Sequence, residues 1–342
     1  MAKSTNFQTK AGSKVTIGTE VTMGTACLAA GTTLEMPCTD YSFSDIGGGG
    51  MALDTAPFRT GLGGSTQSTN MVKAKRYDRM WEVSLTFHAT AQAIDRICLA
   101  MFGDGATPNA LIGSMPAATN YEHGVASIVP VTIHFEDAAH AGNGNDIHFI
   151  SCMCTSFSLS GDIGSNGGVV MGTATFVTGY EPVESVLTFS GGTHTLLAAQ
   201  TTMFNMNDLS STTVTPSGGS AKDLCLYSFN VDINRSVNKV SFDTASNAFK
   251  PAGYVVGGYE VTGSLTCKRD DESAVAHHVV DTAQPIAAID LDTTVFQIQL
   301  PTALIDNTSI NFDDDGWKNS IGFRGAYSGA TSSTIVSYGT TA

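Results

Sequence analysis

Trp81-Glu82-Val83-Ser84-Leu85-Thr86-Phe87-His88 alternates apolar and polar residues without a break. Side chains on a strand change face at every residue, so this stretch predicts a strand with one apolar and one polar face. Trp81, Val83, Leu85 and Phe87 form the expected core side, and Glu82, Ser84, Thr86 and His88 the other. Immediately downstream the period changes. Ile94, Ile97, Cys98, Met101 and Phe102 recur at helical spacing, with Thr90 placed as N-cap and Gly103 as the terminating glycine. Strand and helix together predict a helix laid on a half-buried sheet, with Ile94 and Ile97 in the core.

Outward from this unit the same alternation recurs. Tyr41-Ser42-Phe43-Ser44 is a short strand, followed by a Gly-, Ser- and Thr-rich loop from Gly47 to about Asn70. Loops of that length in a compact domain are functional or disordered. Ile128 to Phe135, Ile147 to Leu159 and Val169 to Thr178 read as three more strands. Residues 1–30 are polar, then Gly- and Thr-rich, and predict an extended N-terminal arm that orders on another surface.

The order then repeats. Tyr227-Ser228-Phe229 matches Tyr41-Ser42-Phe43. Tyr259-Glu260-Val261-Thr262 matches Trp81-Glu82-Val83-Ser84, and Ser264-Leu265-Thr266 matches Ser84-Leu85-Thr86 after a shift of two residues, which keeps the faces in phase. Gly172-Thr173-Ala174-Thr175-Phe176 loosely matches Ser320-Ile321-Gly322-Phe323, and a short helix is expected over Ala274 to Val280. Strands are expected at Val295 to Leu300, Ala303 to Asn311, Trp317 to Tyr327 and Thr334 to Tyr338. Any one match is weak; the shared order of strand, long loop, strand, helix and three strands predicts a duplicated unit. The division expected is an arm over 1–30, one domain over 31–190 and a second over 191–342. Val261 and Leu265 are the second unit's expected core residues.

Composition narrows the class of function. Only 14% of the 342 residues are charged, although 42% are hydrophobic, which points to a surface largely occupied by other subunits. The 36 glycines, with Ser, Thr and Asn, favour strands and turns over helices. The net charge of −14 disfavours a protein that grips nucleic acid through phosphate contacts. No run approaches the length of a membrane-spanning helix, and Met1 to Lys14 lacks the apolar centre of a signal peptide, so synthesis in the host cytoplasm is expected.

No constellation of nucleophile, base and orienting group emerges, so an enzyme is not expected. Cys152 and Cys154 with His148 lack a second ligand pair at zinc spacing, and the seven cysteines read as small apolar residues. His277-His278 near Asp281 point apart on a helix, and Asp313-Asp314-Asp315 lacks the spaced ligands of a calcium loop. The glycine runs at Gly47 to Gly50 and Gly61-Leu62-Gly63-Gly64 do not have phosphate-loop spacing. No cofactor and no metal are expected.

Three stretches resemble phage tail tube proteins: Glu260-Val261-Thr262-Gly263-Ser264-Leu265-Thr266; Phe296-Gln297-Ile298-Gln299-Leu300 ended by Pro301; and Gly322-Phe323-Arg324-Gly325-Ala326-Tyr327 with Ile335-Val336-Ser337-Tyr338 after it. The resemblance covers most of residues 34–342 and is similar to the two-domain, siphophage-like form. It implies a mainly β fold of two tandem tail-tube β-sandwich or β-barrel-like domains, each with one short flanking helix. It further implies homotrimeric, pseudo-hexameric rings stacked into a tube. The implied partners are other copies of the chain, the tail tip, tape measure and tail terminator proteins, and viral DNA crossing the lumen without tight binding; no membrane is implied. On this expectation Glu82, Ser84, Thr86, Glu260, Thr262 and Ser264 face the lumen. The loop carrying Gly47, Gly48, Gly49, Gly50, Phe58 and Leu62 is the candidate for contacts between rings. A capsid decoration protein and a β-sandwich receptor-binding module are the competing virion readings.

Overall fold

The computed structural model describes residues 13–28, 33–46, 51–53, 74–76, 80–102, 129–137, 146–185, 203–217, 219–242, 251–270, 286–293, 296–313, 316–325 and 335–338. The first half contains β1 (Ser13–Thr19), β2 (Thr33–Glu35), β3 (Cys38–Asp45), β4 (Met51–Leu53), β5 (Ala74–Arg76), β6 (Trp81–His88), helix α1 (Ala91–Phe102), β7 (Val131–Asp137), β8 (Ile147–Asp162), β9 (Met171–Thr178) and β10 (Val183–Glu184). The second contains β11 (Leu209–Pro216), β12 (Lys222–Asp223), β13 (Leu226–Phe242), β14 (Pro251–Lys268), β15 (Ile286–Thr293), β16 (Phe296–Asp313), β17 (Gly316–Gly325) and β18 (Ile335–Tyr338). The fold is mainly β, and every strand pairing among the described residues is antiparallel.

The two halves pair their strands in the same order. In the first, the path runs β3–β6–β9–β8–β7–β1–β2, with β10 also on β8. In the second it runs β13–β14–β17–β16–β15–β11–β12, with β18 also on β16. The irregularities recur too. Bulges between Cys154 and Ser156, Val131 and Ile133, and Cys38 and Asp40 have counterparts between Ile305 and Asn307, Ala287 and Ile289, and Leu226 and Ser228. A bulge adds an unpaired residue and a bend, so it marks one position of the ladder. Aligned on the bulges, Ser84-Leu85-Thr86 corresponds to Ser264-Leu265-Thr266, as the sequence match has it. Tyr41 corresponds to Phe229, two residues from the expected Tyr227, because Tyr41 opposes Leu85 and Phe229 opposes Leu265. Glu82 likewise corresponds to Thr262, and Glu260 lies two residues beyond it. Slips by two leave the faces unchanged, so sequence alternation alone does not resolve them.

In each half one long strand takes part in two sets of pairings. The N-terminal part of β8 pairs with β7 and β10; beyond the bulge its C-terminal part pairs with β9. β16 does the same with β15, β18 and β17. A strand that bends at a bulge and changes sheet makes the corner of a sandwich. In the first unit Val83, Leu85, Phe87, Phe157 and Phe176 from one sheet and Val15, Ile17, Ile133, Phe135 and Phe149 from the other are buried in one cluster. Helix α1 adds Ile94, Ile97, Cys98 and Met101, all fully buried. Its first turn is capped by the Thr90 hydroxyl, which accepts from Ala93 N at 3.2 Å. Two glycines admit aromatic rings to this core. A Cβ on Gly172 would lie 2.5 Å from the Phe87 ring, and one on Gly263 would lie 2.4 Å from the Phe323 ring.

Several elements differ from expectation. Part of the stretch expected as an arm is β1, paired with β7 over its whole length, with Val15 and Ile17 buried. Its short alternation is masked in the sequence by polar flanks. Residues 1–12 of that arm, the 190/191 boundary, the helix expected over Ala274 to Val280 and the His277-His278 pair lie outside the described residues.

The units join edge to edge. Ser156–Asp162 of β8 pair with Ser228–Asn234 of β13, so the sheet and its core continue from one half into the other. Phe157, Leu159, Phe229, Val231 and Ile233 are each no more than 3% exposed here. Arg235, 6% exposed, crosses the junction from β13. Its Nε donates to the Cys154 carbonyl at 2.7 Å, and its terminal nitrogens donate to the carbonyls of Ala100 and Met101 at the end of α1. A cation at a helix C-terminus satisfies carbonyls that lack partners in the helix and complements the helix dipole.

Candidate functional site

The sheet face opposite the core carries rows of polar residues that cross both units; at one end, Val177 and Met153, in line with Glu82, are instead buried in a second apolar cluster with Val237 and Tyr254. Along the path β3–β6–β9–β8–β13–β14–β17–β16, residues that oppose one another share a face. Ser42 opposes Ser84, Ser84 opposes Thr175, and Thr175 opposes Ser156. Across the junction, Ser156 opposes Asn234, and Asn234 opposes Glu260. A neighbouring row runs from Ser160 through Asn230, Ser264 and Gly322 to Asn307. Hydroxyl and amide side chains therefore predominate in rows that cross both units, with Gly322 and Glu260 the exceptions in these two.

The predicted residues fall on this face. Glu82, Ser84 and Thr86 are half-buried on β6; Thr262 and Ser264 are half-buried and Glu260 is exposed on β14. The register places Thr86 in one row with Ser158, Asp232 and Thr262 through Thr173. On the opposite face, Val83, Leu85, Phe87, Val261 and Leu265 are buried, with Trp81 half-buried against Phe149 at 6.0 Å. Gly47, Gly48, Gly49, Gly50, Phe58 and Leu62 lie outside the described residues.

Polar contacts knit the face together. The Ser158 hydroxyl donates to Asn230 Oδ1 at 3.3 Å across the unit junction, and the Asn230 amide donates to the Asp232 carboxylate. Glu260 faces Arg324 at 3.8 Å with both side chains more than half exposed, a pair worth about 0–1 kcal/mol in water. Arg324 thus offsets part of the negative charge contributed by Glu82, Asp232 and Glu260. Sequence reasoning missed Ser156, Ser158, Asn230, Asp232 and Arg324. The signals were present as Ser156-Phe157-Ser158-Leu159-Ser160 and Asn230-Val231-Asp232-Ile233-Asn234, two alternating runs whose adjacency only the register reveals.

Three thiols away from this face are structural. Burial pushes the thiols of Cys38, Cys154 and Cys267 up to about 12, which keeps them protonated and unreactive. Among the described residues, no group of three or more His, Cys, Asp or Glu side chains is placed to hold a metal ion, and no helix is long and apolar enough to cross a membrane. Such a face can present hydroxyls, amides and scattered charges to a large polar object. Its rows offer no preorganised nucleophile or base.

No family model matches the chain, and no curated protein matches it. Among solved structures it is similar to a chain from the tail of an empty gene transfer agent particle obtained by helical refinement with C6 symmetry, at 13% identity and TM-score 0.28, covering 36% of this chain and 96% of that one. It is also similar to a chain from the virion of a native gene transfer agent particle, at 13% identity and TM-score 0.29, covering 39% of this chain and 98% of that one. At these TM-scores the likeness carries no argument about function.

Proposed function

We propose that the chain is a structural subunit of a phage tail tube, with three two-unit copies forming a pseudo-hexameric ring and the polar sheet face lining its channel. One observation carries this reading: two units with the same strand order and three matching bulges share rows of polar residues along a continuous sheet. A surface that meets moving DNA must be hydrated and must not hold phosphate. Ser, Thr and Asn rows keep it wet, and Asp40, Glu82, Asp162, Asp232 and Glu260 outnumber Arg324, Lys268 and Lys318 on this face, which disfavours phosphate contacts. The low charge content of the chain fits a subunit whose outer surfaces meet other copies. In this role the protein acts non-enzymatically in the virion of a siphovirus-like particle after assembly in the host cytoplasm. Tail tip, tape measure and tail terminator proteins are its assembly partners, and the genome leaves through its channel.

Labelling tests the orientation of the face. Glu260→Cys, in a Cys225→Ser background, is reacted with a small maleimide and with a bulky polymer maleimide before and after tube assembly. The reading expects both to react with unassembled protein and only the small reagent to react along finished tubes. Equal reaction of the bulky reagent with tubes would place the face outside and end the proposal.

A further inference from the structure

Among the described residues, each half has one strand edge equivalent to a side of the internal junction that no other strand covers. β8 pairs through Ser156–Asp162 with β13; the bulge-aligned equivalent of that segment is Asn307–Asp313 of β16, and the equivalent of β13 is β3. Among the described residues, β3 pairs only with β6, and this part of β16 pairs only with β17. Positions that are sealed in the junction are exposed at these edges. Val231 and Leu159 are 3% and 2% exposed, whereas their equivalents Phe43 and Ile310 are 40% and 43% exposed. Phe312, equivalent to Gly161 at the junction, is 64% exposed. An exposed strand edge flanked by apolar side chains is a template for another chain.

We infer that the β16 edge of one copy pairs antiparallel with the β3 edge of the next, in the register of the β8–β13 junction. The inference rests on the ring-forming reading above for its partner, a second copy, and names the two edges that meet. The transposed register sets Ile310 opposite Phe43, Phe312 opposite Tyr41 and Ser309 opposite Ser44. Backbone contacts support that phase independently. The N–H of Phe312 donates to the side chain of Asn311 at 3.1 Å, and the N–H of Tyr41 donates to the side chain of Asp40 at 2.9 Å. Both amides are therefore turned out of their ladders toward the edge, as two residues must be to form a hydrogen-bonded antiparallel pair. The internal junction has the same phase, since Ile163 N donates to the Tyr227 carbonyl at 2.9 Å, two residues along each strand from Gly161 opposite Phe229. The two edges are different surfaces, so the contact is head-to-tail; it carries the polar face from copy to copy and closes when the rotation closes.

Single-edge variants test the pairing. Phe43→Lys blocks the β3 edge and Ile310→Lys the β16 edge. Because the Phe43 ring also packs on Phe135 and Phe149, Asp45→Pro serves as a second β3-edge variant, removing an N–H that lies on the open edge in phase with that of Tyr41, and circular dichroism checks that each variant is folded. Each variant alone is expected to remain monomeric, and a 1:1 mixture of a β3-edge variant with the β16-edge variant is expected to form a dimer that grows no further, read by analytical ultracentrifugation. A Ser44→Cys/Ser309→Cys chain, in a Cys225→Ser background, is expected to oxidise to a ladder ending at a closed trimer, because a non-hydrogen-bonded pair brings its Cα atoms to about 4.5 Å. Dimers of any variant alone would overturn the head-to-tail pairing. Tubes from the native chain together with unhindered tubes from the variants would overturn the pairing and leave the tube reading intact. Absence of both tubes from the native chain and dimers from the mixture would overturn both.

Discussion

Arg235→Met is expected to destabilise the protein and to uncouple its two units. The arginine is 6% exposed and donates to three carbonyls: Cys154 at the β8 bulge and Ala100 and Met101 at the end of α1. A hydrogen bond from a charged donor is worth about 1.5–3 kcal/mol, and a cation at a helix C-terminus contributes up to about 2 kcal/mol in a partly buried site. These contributions overlap, and Met removes the cost of burying a charge while keeping the apolar stem. Water can also reach the last helix carbonyls once the guanidinium is gone. A net loss of about 3 kcal/mol follows, with Arg235→Lys intermediate because an ammonium lacks the planar fork. Since Arg235 belongs to β13 and its acceptors to the first unit, the loss falls on the junction. Urea unfolding followed by tryptophan fluorescence, with Trp81 in the first unit and Trp317 in the second, should change from one transition to two. A loss below about 1 kcal/mol with one cooperative transition would refute the clamp.

Other perturbations have worked-out directions. Gly172→Ala forces a methyl group against the buried Phe87 ring and should cost about 1–3 kcal/mol in denaturant unfolding; an unchanged midpoint would contradict the packing. Glu20 accepts from Ser151 N, the Ser151 hydroxyl and the Thr132 hydroxyl, yet burial, the largest influence, raises its carboxyl above the usual 4.5. Its stabilising contribution is complete below 4.5 and lost as pH rises through the raised value, so Glu20→Gln should flatten stability across that window; a parallel profile would count against it. Burial lowers His148 from its usual 6.5, so its contribution is present above 6.5 and lost as pH falls through the lowered value. His148→Gln should therefore reduce acid sensitivity below 6.5, measured by thermal melts across pH, and no change would remove His148 from the account. Glu260→Ala should shift stability by less than about 1 kcal/mol, and a larger loss would mean that the Arg324 pair is more than a solvated contact.

The alternation in Trp81–His88, and the helix behind it, were legible because both faces are unmixed over the whole element. Ile94, Ile97, Val83 and Leu85 are buried where that periodicity puts them. The repeated order of strands was also visible, but not its register: Tyr-Ser-Phe occurs at both Tyr41 and Tyr227, and only the bulges identify Phe229 as the equivalent of Tyr41. β1 was hidden because Val15 and Ile17 are only two apolar residues in a polar stretch, and their burial depends on the distant β7. Half of the polar face was missed for the same kind of reason. Ser156, Ser158, Asn230 and Asp232 are far apart in the chain and become one surface through pairing between the units, which no local pattern encodes.

Electron microscopy of the concentrated native protein tests the central claim most directly. The account predicts hollow tubes of stacked rings whose averaged end views show six similar lobes from three chains, with the β6 and β14 strands against a central channel. Solid fibres, or closed rings with these strands on the outer wall, would contradict it.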